Sequence, residues 1–136
     1  MAKEIEKRFL VSEPIPWDLT EQKIIRQGYI FTGKDKQFRI RIMDDKAFIC
    51  LKYDELVSRD EFEYEVPLMD GLTMLGKCKD KLEKIRCSIE PINHSFHVDI
   101  DTYPNGLVVA EVEFKSMDDY LNFQPLYWFG KEITGD

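Results

Sequence analysis

The sequence has no long apolar run. No stretch approaches the roughly 18 residues that are needed to cross a bilayer as a helix. Residues 1–7 also lack the apolar segment of a secretory signal peptide. The sequence therefore shows neither the usual signal for membrane insertion nor the usual signal for export. The expected location is therefore the cytoplasm, and no membrane partner is expected.

Cysteine is scarce as well. The three cysteines, Cys50, Cys78 and Cys87, are odd in number and show no CxxC spacing. This pattern excludes both a disulfide framework and the usual structural zinc site. We expect the three side chains to be reduced and to behave as small buried hydrophobic groups.

An excess of positive charge is also missing. The formal net charge is -7, whereas general nucleic-acid binding requires a basic surface, so no nucleic-acid partner is expected. An anionic small ligand stays compatible with this charge if the basic residues are concentrated in one place. Hydrophobic residues make up 43% and charged residues 33% of the 136 residues, which is typical of a soluble globular chain. At this length we predict a single domain, 1–136.

Eight segments alternate apolar and polar residues in the manner of β-strands. Short turn signals separate several of them, and two helices are predicted, at 68–79 with Asp70 as N-cap and at 116–123. A short helical turn is also expected from Leu19. We predict a mainly β (α+β) fold, an eight-stranded antiparallel β-barrel with short helices packed outside, because closure removes exposed strand edges. The predicted strands span 2–11, 27–32, 37–43, 46–53, 59–66, 82–89, 95–101 and 107–114.

Side chains alternate between the two faces of a strand, and here the charges share one face. Segment 59–66 is the clearest case, because its three glutamates and Arg59 lie on one side and Phe62 and Tyr64 on the other. The basic residues predicted on the charged face are Arg8, Arg39, Arg41, Lys52, Arg59, Lys84 and Arg86. The acidic residues predicted there are Glu4, Glu6, Glu61, Glu63, Glu65, Asp99, Glu111 and Glu113.

Two interpretations of this charged face stay open. The first is a half-solvated sheet with its charges in water and its apolar side under helices. The second is a barrel interior that holds one small ligand. Acids repeat at i, i+2 on three strands, and such like charges repel unless a cation lies between them. Arg39 and Arg41 have the same spacing, which indicates a multiply charged anion. Removing charges from water is costly unless they are paired, which favours a functional reason for keeping them.

The opening EIEKRFLV, residues 4–11, resembles the ExExK signature of the CYTH, or triphosphate tunnel metalloenzyme, superfamily. The similarity continues in order through successive strands, and a series of blocks in order is far more specific than ExExK alone. The blocks are RQGYI (26–30), FRIRI (38–42), KAFICLK (46–52), SRDEFEYEVP (58–67), LEKIR (82–86), FHVDID (96–101), GLVVAEVEF (106–114) and the closing WFGKEITGD (128–136).

The resemblance implies an eight-stranded antiparallel tunnel that binds a triphosphate-containing small molecule together with Mg²⁺ or Mn²⁺. It implies that phosphate oxygens are held by Arg8, Arg39, Arg41, Lys52, Arg59, Lys84 and Arg86. It implies a metal-binding and water-orienting group of Glu4, Glu6, Glu61, Glu63, Glu111 and Glu113, with Asp99 assisting. The catalytic group that it implies is Glu4, Glu6, Arg8, Lys84 and Glu111. Arginine forks suit phosphate, and carboxylate oxygens suit Mg²⁺.

The sequence departs from the family pattern at Arg8, where the signature usually has lysine, and at Cys87, where many members have tyrosine. Arginine cannot donate a proton at ordinary pH, so Arg8 is expected to stabilise charge rather than act as an acid. The first functional interpretation is metal-dependent hydrolysis of inorganic triphosphate or a small organic triphosphate. A class IV-type adenylate cyclase and a non-catalytic polyphosphate- or nucleotide-binding module stay open as alternatives, and so does a homodimer.

Overall fold

The computed structural model describes residues 2–19, 21–54, 58–91 and 94–134. Two helices occur among them, α1 (Leu68–Lys77) and α2 (Met117–Leu121). Neither is long and apolar enough to cross a membrane. The strands are β1 (Ala2–Leu10), β2 (Gln22–Thr32), β3 (Lys36–Met43), β4 (Lys46–Asp54), β5 (Ser58–Val66), β6 (Asp80–Ile89), β7 (Phe96–Thr102) and β8 (Val108–Phe114).

The eight strands form one closed antiparallel barrel in the order β1-β5-β4-β3-β2-β6-β7-β8. This order confirms the fold class that the alternating pattern predicts. The chain also divides into two compact units, one of Met1–Glu4 with Lys23–Lys84 and one of Ile5–Gln22 with Ile85–Asp136. The single domain predicted for residues 1–136 stays a prediction.

The first unit is a run of consecutive hairpins, β2 to β5, with α1 packed on its apolar face. β3 pairs with β2 on one side and with β4 on the other, and β4 pairs with β5. Ile40, Ile42 and Ala47 are at most 1% exposed and form a core with Cys78. Leu68, Leu72, Met74 and Leu75 of the amphipathic helix α1 pack against this core. The alternating apolar residues of the strands and the apolar stripe of α1 therefore pack against each other in one layer.

Two local predictions, the N-cap of α1 and the start of β2, are wrong. Asp70 is not the N-cap of α1, because the strand β5 runs to Val66 and Pro67 then occupies the cap position with φ -55° and ψ 138°. Asp70 instead lies in the first turn, where a negative charge favours the helix dipole. The helical turn predicted from Leu19 runs through residue 20, which lies outside the described residues. The strand β2 starts at Gln22 rather than at residue 27. The earlier start follows from the buried Ile25 and Gln27, which alternate as strand residues.

The second unit is built from β6 from Ile85 onward, β7, β8 and the greater part of β1, which pair in that order. Phe9, Val98, Ile100, Ala110 and Val112 are at most 2% exposed and form the centre of its core. An aromatic group packs against this core from α2 and the carboxyl-terminal segment, consisting of Tyr120, Phe123, Trp128 and Phe129. The N-cap of α2 is Ser116, whose hydroxyl accepts a hydrogen bond from the backbone N–H of Asp119 at 3.1 Å.

The carboxyl-terminal segment also pairs with the end of β1. Gly130 N–H donates to the carbonyl oxygen of Leu10 at 2.7 Å, and Leu10 N–H donates to that of Lys131 at 2.8 Å. Ile133 N–H donates to the carbonyl of Arg8 at 2.7 Å. These bonds satisfy backbone groups of residues 8–10, next to the first residues of the charged face.

The close packing of α1 against the sheet at Gly71 lets us predict the effects of two alanine substitutions. A Cβ at Gly71 would overlap Ala47 Cβ, whereas a Cβ at Gly76, in the last turn of the same helix, would meet nothing within 4 Å. Gly71→Ala should therefore lower the free energy of unfolding by about 1–3 kcal/mol through overpacking. Gly76→Ala should raise it by roughly 0.5–1 kcal/mol through helix propensity. Urea unfolding of both variants measures this, and equal effects would contradict the packing of α1.

Candidate active site

The charged face of the first unit is built around two arginines on β3. Arg39 lies opposite Tyr29 of β2 and Cys50 of β4, and Arg41 lies opposite Gln27 and Phe48. Arg41 Nε donates to Gln27 Oε1 at 3.3 Å, and Gln27 Nε2 donates to the Tyr29 hydroxyl at 2.9 Å. The buried amide of Gln27 therefore holds the Arg41 guanidinium in place.

Arg39 is the most informative of these side chains. It is 8% exposed, and its Nε atom is buried with no hydrogen-bond partner among the residues that the structure describes. Burying a polar group without a partner is costly, and more so for a charged group. An anion with several oxygens would satisfy the guanidinium.

Lys52 of β4 joins two carboxylates in the same unit. Its Nζ lies 3.1 Å from Glu4 Oε1 and 3.5 Å from Glu61 Oε2, and Arg59 Nη1 lies 3.8 Å from Glu4. Burial raises the pKa of Glu4, and so does its hydrogen bond with Glu61. Burial opposes ionisation of Glu61 as well, but the hydrogen bond with Glu4 and the charges of Lys52 and Arg39 outweigh it and lower its pKa. Glu61 is therefore the member of the pair that ionises more readily, and Glu4 is the member that binds a proton more readily.

A thiol lies beside the carboxylates of β5. The Sγ of Cys50 and one carboxylate oxygen each from Glu61 and Glu63 lie within 4.8 Å of one another. Burial raises the pKa of the Cys50 thiol. Because metals bind the thiolate and Mg²⁺ prefers oxygen, Cys50 fits a hard cation poorly. The two glutamates keep oxygen ligands available, although Glu63 is exposed.

In the second unit, one guanidinium contacts three carboxylates. Arg86 of β6 forms a bidentate pair with Asp101 of β7, with Nε to Oδ1 at 2.7 Å and Nη2 to Oδ2 at 2.8 Å. Its Nη1 lies 3.3 Å from Asp99 Oδ2, and its Nη2 lies 3.5 Å from Glu111 Oε1. Burial opposes the charge of Arg86, but its hydrogen bonds with Asp101 and the charges of all three acids raise its pKa. Arg86 therefore stays charged, and its fork is held by the carboxylate of Asp101.

Asp99 is the centre of a second set of hydrogen bonds. Ser88 Oγ donates to Asp99 Oδ1 at 2.5 Å, and His97 Nε2 lies 2.8 Å from the same oxygen. Burial opposes ionisation of Asp99, yet the hydrogen bond with His97 and the charge of Arg86 lower its pKa. In turn the hydrogen bond with Asp99 raises the pKa of His97 despite partial burial, with help from the charges of Glu113 and Glu90. Asp99 therefore stays ionised across the neutral range.

The amino-terminal acids meet those of β8 across the strand pair. Glu6 lies opposite Glu113, and their carboxylate oxygens come within 4.8 Å. Arg8 lies opposite Glu111, with Nε 3.6 Å from Oε2. Two carboxylates directly opposite each other repel, and oxygen donors in this arrangement suit a divalent ion such as Mg²⁺ or Mn²⁺. The donor chemistry of the acids therefore fits a metal.

The alternating pattern thus places each predicted residue on the charged face of its own unit, and Lys84, 4% exposed, is buried there too. The roles that the family resemblance implies for the individual site residues stay predictions. Residues that contact this machinery but were not predicted as site residues include Gln27, Ser88, His97 and Asp101. Alternation through Ile25, Gln27 and Tyr29 is the signal that would have found the first of them. Asp101 falls on the charged face by its spacing from Asp99, but its partner is visible only in the structure.

A closed barrel of eight antiparallel strands, with arginines and carboxylates on one strand face and apolar residues on the other, defines a protein of the triphosphate tunnel class. Comparison with known proteins agrees with this class. An inorganic triphosphatase of Acetivibrio thermocellus is 38% identical over 140 residues, an alignment covering 100% of this chain and 88% of that protein. An inorganic triphosphatase of Nitrosomonas europaea is 33% identical over 98% of this chain and 90% of its own length.

The crystal structure of the inorganic triphosphatase NE1496 has the same fold, with a TM-score of 0.69 and 29% identity over 100% of this chain and 89% of its own. No model of a known protein family matches the sequence. With the identity and coverage of these relatives, the chain belongs to the inorganic triphosphatase family of the CYTH superfamily.

The contact between His97 and Asp99 predicts how stability depends on pH. Because the folded state raises the pKa of His97 above 6.5, the charged pair contributes its full stability below about pH 6.5. That contribution is lost as pH rises through the folded-state pKa. His97→Gln keeps a hydrogen-bond donor but removes the charge, so it should cost more at about pH 5.5 than at about pH 9. The difference should stay below about 1 kcal/mol, since the side chain is 31% exposed.

Urea unfolding of the wild type and the variant at both pH values, with chelator present, measures the effect. An equal cost at the two pH values would contradict the ion pair.

Proposed function

We propose that this protein hydrolyses inorganic triphosphate with the aid of a bound divalent ion. The observation that carries the proposal is full-length similarity to two inorganic triphosphatases. The buried Arg39 guanidinium supports it independently, because an anion with several oxygens would satisfy its Nε, which has no hydrogen-bond partner among the described residues. Water attacks a terminal phosphorus, the bridging P–O bond breaks, and the products are phosphate and pyrophosphate.

Phosphate oxygens are held by basic side chains of the charged faces. A triphosphate spreads its charge over many oxygens, and transfer of a phosphoryl group needs positioning and charge neutralisation more than covalent help. Arginine offers a planar fork to two oxygens, while lysine acts as a point charge. Gln27 contributes indirectly by orienting Arg41. The proposed phosphate ligands are Arg39, Arg41, Lys52, Arg59 and Lys84 in the first unit and Arg8 in the second.

Carboxylates hold the divalent ion, which we propose to be Mg²⁺ or Mn²⁺. In the second unit the proposed ligands are Glu6, Asp99, Glu111 and Glu113, and in the first unit Glu4, Glu61 and Glu63. When bound, such an ion offsets the negative charge of the substrate and lowers the pKa of coordinated water. The ionised carboxylates of this chain orient the attacking water and accept hydrogen bonds from it. Arg8, which cannot give up its proton, stabilises charge beside Glu111.

Replacement of the buried Arg39 should weaken substrate binding. Arg39→Gln removes charge-assisted hydrogen bonds to phosphate worth roughly 1.5–3 kcal/mol, so the KM for triphosphate should rise about ten- to a hundredfold. Arg26→Gln is the matched control, because Arg26 is exposed and lies on the opposite face of the neighbouring strand. Its kinetics should equal those of the wild type.

Steady-state phosphate release from triphosphate with Mg²⁺ or Mn²⁺ measures both variants. The same assay with ATP, scored also for cyclic AMP, tests the cyclase alternative. Tight triphosphate binding by the wild type without any phosphate release would favour the binding-module alternative instead.

Metal binding should stabilise the free protein. The opposed Glu6 and Glu113 repel when no cation is present, so millimolar Mn²⁺ should raise Tm even without triphosphate. A hundredfold excess over Kd corresponds to about 2.7 kcal/mol. Glu113→Gln relieves the repulsion and should raise Tm in chelator while reducing the shift that Mn²⁺ produces. Calorimetric melting measures both quantities, and an unmoved wild-type curve with metal would rule out these carboxylates as a metal site.

A further inference from the structure

Every nitrogen of the Arg86 guanidinium already faces a carboxylate. Asp101 occupies the Nε and Nη2 side as a bidentate partner, and Asp99 lies 3.3 Å from Nη1. Glu111 approaches Nη2 at 3.5 Å as a second acceptor. The side chain of Arg86 is only 12% exposed, and that of Asp101 is fully buried. A phosphate could use the Arg86 fork only by displacing a buried carboxylate, which would then lose its partner at a large cost.

Arg39 presents the opposite situation. It is buried on the charged face of its own unit, but its Nε has no hydrogen-bond partner among the described residues. The same residue type therefore occurs in two states, one with its donors committed to protein carboxylates and one with a donor still unsatisfied. Only the second state is suited to receiving an anion from solution.

We propose that Asp101 is a positioning residue that orients Arg86, and that Arg86 positions Asp99 and Glu111 for the divalent ion instead of binding phosphate. This inference rests on the proposed function and deepens it. It gives Arg86 a role different from the phosphate-binding role that the family resemblance implies, and it adds Asp101 to the functional residues.

Strand register explains how the arrangement is fixed. Arg86 of β6 lies directly opposite Asp101 of β7, so their bidentate pair spans one strand pair. Asp99, two residues earlier on β7, lies opposite Glu111 of β8. The guanidinium can therefore contact acids on both neighbouring strands from one position. A lysine carries its three donors on a single nitrogen and could not form the bidentate pair with Asp101.

The principal test uses Asp101→Asn and Arg86→Lys. Asparagine can accept a hydrogen bond from Nε, but its amide nitrogen cannot accept the second bond from Nη2. Binding of Mn²⁺ alone, measured by electron paramagnetic resonance without triphosphate, should weaken about ten- to a hundredfold in both variants, as is typical when residues behind metal ligands are changed. The KM for triphosphate at saturating Mn²⁺ should stay within about twofold, and kcat should carry any loss that remains.

Two controls separate positioning from other effects. Arg39→Gln should raise the KM for triphosphate and leave Mn²⁺ binding unchanged. Ile100→Val trims the buried neighbour of Asp101 on β7 and should lower stability by about 0.5–1.5 kcal/mol without changing Mn²⁺ affinity. If Asp101→Asn and Arg86→Lys raise the KM as Arg39→Gln does, and bind Mn²⁺ as the wild type does, Arg86 is a phosphate ligand and the proposal is wrong.

A further measurement uses only the wild-type protein and therefore does not depend on whether the variants fold. Titration with triphosphate in chelator should shift the Nε–H resonance of Arg39 in the nuclear magnetic resonance spectrum and leave that of Arg86 in place. A shift of Arg86 equal to that of Arg39 would overturn the proposal. The Mn²⁺ measurements need no turnover, so absence of triphosphate hydrolysis by the wild type would refute the proposed function without deciding the role of Arg86.

Discussion

Buried charge is the constraint on which the rest of this structure depends. Each unit covers the apolar face of its strands and leaves ionised side chains on the other face, where water is scarce. A charge in such a place persists only with a partner of opposite sign. Arg86 has three carboxylates around it, and Lys52 bridges Glu4 and Glu61. The Arg39 Nε, which has no hydrogen-bond partner among the described residues, and the opposed carboxylates of Glu6 and Glu113 mark where an anion and a cation would be bound.

The strands of the fold could be predicted from the sequence because period two is a strong local signal wherever one face is buried. Segment 59–66 alternates almost without exception, and β5 covers Ser58–Val66. The amino-terminal half of β2 was missed because the sequence around Leu19 also fits helical spacing. Pairing of Ile25 with Met43 of β3 fixes this part of the strand, and the alternation of Ile25 and Gln27 is its only local signal. The N-cap of α1 was misplaced for a similar reason, since β5 and Pro67 set the start of the helix and side-chain preference does not.

The sequence predicts on which strand face each site side chain lies, but not which residues it contacts. Arg39 and Arg86 are the same residue type with the same predicted orientation. Their different surroundings depend on register, and register depends on loops and bulges that join segments far apart in the chain. Arg86 meets Asp101 because β6 and β7 pair with these two residues opposite. The Arg39 Nε stays unsatisfied because its neighbours across the strands are Tyr29 and Cys50. No composition or spacing distinguishes the two cases.

The pairing of residues 130–134 with the end of β1 has a consequence for folding. Arg8 N–H donates to Thr134 Oγ1 across a sequence separation of 126 residues, and β1 pairs with β8 over a similar distance. The hairpins from β2 to β5 need only neighbouring segments and can form as soon as they have been synthesised. The pairing of β1 with β8 and with residues 130–134 can form only when nearly the whole chain has left the ribosome. Since non-local pairing forms slowly, we expect this seam to close late in folding.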